Sequence, residues 1–310
     1  MGDIPQQLVN GLTNGSLYAL IAVGYTVVYG IVQLINFAHG EVFMIGAFGA
    51  LSTYFLLFRG TTALWVLPVM LLGAIAASVL TAVVMERVAY RPLRGAPRLA
   101  PLITAIGISI FLQEFVRLFY GTIPGFPNAR AKIPFPPIEH VTGAAISLGP
   151  VQVQRPALFT MGALLVCAIF LYWFINKTKQ GRAMQAVSQD PDTARLMGIN
   201  VDKVIVIAFA VGAALAGIAG IAYGLQNNNI DFRMGFMAGL KAFTAAVLGG
   251  IGNVQGAVVG GLVLGVAEAL ASGIPFIGST WKDVFAFSLL ILVLFFRPQG
   301  LLGARVVDRA

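Results

Sequence analysis

The sequence predicts an all-α protein, a polytopic transmembrane helical bundle of about 8–10 spans with one broken or re-entrant helix among them. Three observations carry that reading. The 310 residues are 58% hydrophobic and only 10% charged, whereas a soluble domain carries about 25% charged residues. The mean hydropathy is +0.87. Finally, several uncharged runs reach the ~20 residues that a helix needs to cross a hydrocarbon core of ~30 Å.

The first uncharged run, Ile4 to Gly40, lacks the basic leader of a secretory signal. As one helix it would extend about 55 Å, too long for a single untilted span, so it must break or lie partly along the interface. A first helix is placed at 8–34. The polar set Asn36, His39 and Glu41 marks its end, a second helix follows at 41–58, and a third covers 61–85. Further helices are expected at 99–120, 156–175 and 204–225. The glycine-rich stretch 234–281 carries only Lys241 and Glu268 as charges between its ends. It is split at Gly249-Gly250-Ile251-Gly252-Asn253 into helices over 237–248 and 255–272. The former is short enough to be re-entrant. A last helix covers 281–296, and the whole of 1–310 reads as one transmembrane domain.

Basic residues set the orientation. Arg87, Arg91, Arg94 and Arg98 fall between the third and fourth helices. Lys177, Lys179, Arg182, Arg195 and Lys203 fall between the fifth and sixth, and Arg297, Arg305 and Arg309 follow the last. Nine spans put all three segments on one side, which the positive-inside rule makes cytoplasmic. The N-terminus is then outside and the C-terminus inside. The proline-rich loop 121–155 lies outside, where Ile133-Pro134-Phe135-Pro136-Pro137 cannot continue a helix.

Several chemistries are excluded. The 20 Lys+Arg against 12 Asp+Glu reflect loop asymmetry, not nucleic-acid binding. The single Cys167 allows neither an intrachain disulfide nor a thiolate cluster. The two histidines, His39 and His140, form no HExxH pattern, and the absence of any Gly-Lys dipeptide removes the P-loop. No catalytic residue, metal site or cofactor is assigned.

The loop between the fifth and sixth helices carries the most information. Asp190 suits an N-cap, Pro191 the first helical position, Asp192 the positive helix end and Gly198 the stop. A helix of about two turns is expected there, presenting Ala194, Leu196 and Met197 beside Arg195, a size suited to docking.

Other features have structural readings. Asn36, His39 and Glu41 serve as caps and packing groups or as a gate at the inner mouth. Glu114 and Arg117 can share a helix face. Gly256 with Gly260, Gly261 with Gly265, and Ala216 with Gly220 and Gly224 have the small-xxx-small spacing of close helix packing. Lys241 and Glu268 stand equally far in sequence from the turn near 254–255. In antiparallel helices they would share a depth and form an ion pair; the competing reading is that Lys241 snorkels outward while Glu268 meets water.

Asn36-Phe37-Ala38-His39-Gly40-Glu41, followed by Met44-Ile45-Gly46-Ala47-Phe48, resembles the branched-chain amino acid ABC importer permeases. So do the 181–200 loop and Gly239-Leu240-Lys241-Ala242-Phe243 leading to Gly249-Gly250-Ile251-Gly252. The N-terminal motif and the length are most similar to the LivH-type subunit. The resemblance implies location in the bacterial inner membrane and alternating-access import of leucine, isoleucine and valine. It also implies partnership with a second, LivM-type permease, two cytoplasmic ATPases and a periplasmic binding protein. Asp190 to Gly198 matches the family's ATPase-coupling helix. Two rivals remain at this stage: a proton-coupled secondary transporter, which needs titratable groups near mid-bilayer, and an intramembrane enzyme, which needs paired acids, a metal cluster or a nucleophile with its base.

Overall fold

The computed structural model describes residues 4–33, 36–97, 99–143, 146–148, 151–273 and 279–303. Leu34, Arg98, Arg305 and Arg309, named above for the end of the first helix and the basic segments, lie outside the described residues.

Helix α1 (Ile4–Val32) is the longest element at 29 residues, about 43 Å. It begins earlier than expected because Pro5 is tolerated in the first turn, where no N–H partner is lost. Helix α1 ends at Val32, and the break before α2 includes Gln33 and residues 36–38. Helix α2 (His39–Leu57) then starts inside the bundle, with Gly40 packed backbone to backbone on Gly235 and Gly239.

Helix α3 (Val66–Met85) starts five residues later than the sequence suggested, because Gly60 at φ +86° and the turns of 59–65 carry the chain around the end of α2. It does not stop at Met85. It runs on through a π-helical turn (Glu86–Tyr90) and a 3-10 turn (Arg91–Leu93). Helix α4 (Leu99–Phe119) follows, then a proline-rich loop segment. Within that segment lie the short strands β1 (Ile133–Pro134), β2 (Ile146–Leu148) and β3 (Val151–Val153); β2 and β3 form a hairpin that the sequence reading missed.

The second half holds α5 (Arg155–Lys177), α6 (Lys179–Gln189), α7 (Pro191–Leu196) and α8 (Val201–Asn227). A two-residue strand β4 (Asn229–Ile230) pairs antiparallel with β1. Helices α9 (Met234–Gly249), α10 (Val254–Ser272) and α11 (Lys282–Phe296) complete the described chain. Among the described residues, seven helices are long and apolar enough to cross a membrane alone. At 16 and 15 residues, α9 and α11 are shorter, about 24 and 22 Å. Yet α9 runs through the bundle, from the strand β4 at one end to the turn at 250–253 at the other.

Contacts separate two ends. At the basic end, Tyr90 bonds Asn36, Arg91 bonds Asp202, and the N–H groups of Leu301 and Leu302 donate to the carbonyls of Leu248 and Gly249. At the opposite, loop end, Gln6 bonds Gln152, Gln226 bonds Asn14, and Thr62 bonds Glu139.

The bundle is centred on α1, whose residues from Gly15 to Val28 are all buried. Its closest approach to α10 is made at glycines. A Cβ on Gly261 would stand 2.6 Å from the Ala19 Cα, one on Gly11 2.7 Å from the Val266 Cα, and Gly265 meets the Gly15 backbone. Without a hydrophobic driving force between helices in lipid, this close approach supplies the association through van der Waals contact. Gly217 and Gly220 do the same for α8 against α3 and α2. In contrast, α4 and α5 expose rows of large apolar residues such as Ile103, Ile106, Leu165 and Val166, as lipid-facing helices do.

Two glycine substitutions should therefore behave oppositely. Gly265→Leu should destabilise the protein by 1–3 kcal/mol or more through overpacking. Gly107→Ala, on an exposed face of α4 with open space around it, should be neutral or stabilising by up to about 1 kcal/mol. Unfolding in mixed micelles measures both, and equal losses would contradict this packing.

Candidate functional site: the segment before α8, the break before α2 and the Lys241 ion cluster

The segment after α5 is built as two helices. Helix α6, which the sequence reading left as loop, buries Gly181, Met184 and Val187 on one face. Thr178 caps it by accepting from the Gly181 N–H at 3.0 Å. Asp190 caps α7, accepting from the backbone N–H groups of Asp192 at 2.9 Å and Thr193 at 3.2 Å, and from the Thr193 hydroxyl. Those bonds, the Thr193 hydroxyl first, hold its carboxyl below the ordinary aspartate range. The cap is thus intact at neutral pH and is lost only as acid protonates the group below that range.

Asp192 pairs with Arg195 at 3.0 Å, and Gly198 at φ +82° supplies the left-handed stop. Ala194, expected to be presented, is instead 3% exposed, because its face of α7 turns onto the body of the protein. The tip that reaches outward is Leu196 and Met197, 88% and 78% exposed.

This segment leads directly into α8. Asp202, in the first turn of α8, pairs with Arg91 at 2.8 Å and with Arg94, and Arg94 also pairs with the fully buried Glu86. One acid on α8 and one in the π-helical turn thus share an arginine between them. From the same π turn, the Tyr90 hydroxyl donates to Asn36 Oδ1 at 2.7 Å. None of Glu86, Tyr90 or Asp202 was singled out in the sequence; acids set among arginines were the available signal.

Asn36, His39 and Glu41 are all buried at the break. Asn36 Oδ1 also accepts from the Ala38 N–H at 3.1 Å. The His39 ring meets Tyr25 edge-on, centroids 4.6 Å apart. Glu41 lies in the first turn of α2, but it does not serve as a solvent-facing charge at a helix end. Its Oε1 accepts from Ser109 at 3.0 Å and Gln113 at 2.8 Å, two α4 residues one turn apart, and its other oxygen has no partner among the described residues.

Near the loop end, Lys241 Nζ lies 2.8 Å from Glu268 Oε1 and 2.6 Å from Asp283 Oδ1. Hydrogen-bond geometry is met with Glu268 and with the Tyr18 hydroxyl at 3.4 Å, while Asp283 supplies charge without a directed bond. Lys282 Nζ is 3.9 Å from the same Glu268 oxygen. Four charges from α9, α10 and α11 therefore neutralise one another, where the sequence suggested a single pair. Beside them opens a cavity of about 360 Å³ whose wall includes Tyr18, Asp231, Arg233, Met237, Lys241 and Lys282. Glu114 and Arg117 pair locally at 2.6 Å. No cluster of metal-ligating side chains occurs among the described residues.

The fold is that of a polytopic helical membrane protein with buried charges paired inside the bundle. The chain matches the family described as "Branched-chain amino acid transport system / permease component" over residues 7–294, and it belongs to that family. It is 47% identical to the high-affinity branched-chain amino acid transport system permease protein BraD of Pseudomonas aeruginosa, over 98% of this chain and 97% of the relative. It is 44% identical to the corresponding LivH of Escherichia coli K12 and 43% identical to that of Salmonella typhimurium, at the same coverage. It is a multi-pass membrane permease component and not an enzyme.

The ion cluster yields a graded prediction. Glu268→Gln leaves Lys241 without its hydrogen-bonded anion in a buried site and should cost roughly 3 kcal/mol. Asp283→Asn, at a partly exposed position, should cost under about 1 kcal/mol. In double-mutant cycles by denaturation in micelles, Lys241 should couple more strongly to Glu268 than to Asp283; additive defects for Lys241 and Glu268 would contradict the pairing.

Proposed function

We propose that this chain is the translocation subunit of an ATP-driven ABC importer that brings branched-chain, aliphatic amino acids across a bacterial inner membrane. Its companions are a LivM-type second permease, two cytoplasmic ATPases and a periplasmic substrate-binding protein. The basic end faces the cytoplasm, which puts the N-terminus outside and the C-terminus inside. Membership of the permease family supports the substrate class. Arg87, Arg91, Arg94, Lys177, Lys179, Arg182, Arg195 and Lys203 at one end support the orientation.

The observation that carries the proposal is the segment Asp190 to Gly198. A capped, salt-bridged helix holds two large apolar side chains, Leu196 and Met197, in the open at the basic end of a chain that has no nucleotide-binding motif of its own. Exposed apolar residues on a rigid element mark a protein contact. An ATPase is the contact that an ATP-driven importer requires there.

Motion of that segment has a contiguous route inward. It passes through Asp202, Arg94 and Glu86 to the π turn, then through Tyr90 to Asn36 and the break before α2. Asn36, His39 and Glu41 are the gate in this reading. The π turn suits such a role, since single π turns often mark functional sites in helices. At the loop end, the cavity beside Lys282 combines Asp231 and Arg233 with Leu17, Met237 and Ala238. That mixture of both charge signs and apolar wall matches a zwitterionic aliphatic amino acid.

A proton-coupled carrier is the competing mechanism. It would need a buried acid open to a water path, whereas Glu41 Oε1 is engaged by Ser109 and Gln113.

Cysteines at Leu196 or Met197 should crosslink to the ATPase, and a cysteine at the covered Ala194 should not. The Leu196→Glu, Met197→Glu double variant should lower uptake tenfold or more while the complex still hydrolyses ATP. Efficient transport by that variant would contradict the docking role.

A further inference from the structure

Cations outnumber acids at the basic end, and two of the unpaired ones share a cavity. Arg91 and Arg94 take Asp202 and Glu86. Arg87, exposed in the π turn, and Lys203, exposed in the first turn of α8, have no acidic partner among the described residues. Both line one open cavity of about 460 Å³, between the end of α3 with its π turn and the start of α8.

The far wall of that cavity is apolar, formed by Val206 and Ile207 one turn deeper along α8. On the α3 side, Leu80, Val84 and Arg87 fall on one helix face by their spacing, and Leu80 and Val84 are exposed. Deeper in, the helices are in direct contact, where a Cβ on Gly217 would stand 2.9 Å from the Ala74 carbonyl. The result is an open cleft whose mouth carries Arg87, Arg91 and Lys203 against the single acid Asp202, with Val206 and Ile207 as its apolar wall.

We infer that this cleft binds one anionic phospholipid, with the headgroup phosphate between Arg87 and Lys203 and an acyl chain along Val206, Ile207 and the Leu80–Val84 face. A guanidinium supplies paired N–H donors for the phosphate oxygens and an ammonium supplies a point charge. Basic pockets between transmembrane helices recognise anionic headgroups in this way. Net anionic charge is required, because a zwitterionic lipid brings its own cation into a site that already carries an excess of two. Free phosphate would satisfy the mouth and leave Val206 and Ile207 uncovered. The inference does not depend on the transported substrate.

The test uses the full chain in its native membrane complex, purified in neutral detergent and delipidated. Phosphatidylglycerol should raise the unfolding temperature by about 3 °C or more, as a ligand specific for the folded state does. Phosphatidylcholine and inorganic phosphate should give less than a third of that shift. The Arg87→Gln, Lys203→Gln double variant should lose most of the phosphatidylglycerol shift, and the charge-preserving Arg87→Lys, Lys203→Arg variant should keep it. Equal shifts from phosphatidylcholine, a full shift from phosphate alone, or an undiminished shift in the glutamine variant would overturn the site. A photo-crosslinking residue in place of Val206, with both cations intact, gives an independent readout. It should capture phosphatidylglycerol, and capture of an ATPase chain in its place would show that the cleft is a protein contact.

Discussion

Close contact between the α1 and α10 backbones is the constraint on which the other features of this bundle depend. With glycine at 11, 15, 261 and 265, no side chain separates the two helices, and their relative depth is fixed by carbonyls and Cα atoms meeting directly. That depth brings Tyr18 beside Lys241 and sets Gly30 near Gly252. Helix α9 then lies against both partners, short and glycine-rich, and carries its lysine to a depth where only Glu268 and Asp283 can neutralise it. The C-terminal tail closes the far end by pairing with the last carbonyls of α9, which would otherwise be unsatisfied acceptors.

Polar groups inside such a bundle are costly, so their placement is informative. The buried charges near the loop end belong to one self-neutralised cluster, a strut holding three helices together. Those at the basic end are arranged differently. Arg94 is shared between an acid on α8 and an acid in the π turn, so the start of α8 and the end of α3 move as a unit or not at all. The break before α2 is attached to the same unit through the Tyr90 to Asn36 bond. One end of the molecule is thus cross-braced, and the other is wired from its most exposed apolar tip to its most buried polar residues.

Much of this was legible from the sequence. Span positions followed from uncharged runs, because lipid leaves the chain little choice but helix. The depth match of Lys241 and Glu268 followed from counting outward from one turn. The α7 cap followed from Asp190, Pro191 and Gly198, whose preferences are local. Features that depend on how distant segments meet were not legible. Helix α6 was missed because Lys179, Gln180 and Arg182 hide the spacing of Gly181, Met184 and Val187. The burial of Ala194 depends on which face of α7 meets the body, and a six-residue helix has no periodicity from which to read it. Glu41 looked like a helix-end anion, and only the packing of α4 shows that Ser109 and Gln113 receive it.

The account is tested most directly by its energy source. In proteoliposomes holding the permeases and ATPases, supplied with the binding protein outside, leucine uptake should require ATP in the lumen, on the side where Leu196 and Met197 lie. It should continue when the proton gradient is collapsed. Uptake driven by an imposed pH gradient in the absence of ATP would contradict the account and would make Glu41 a proton carrier.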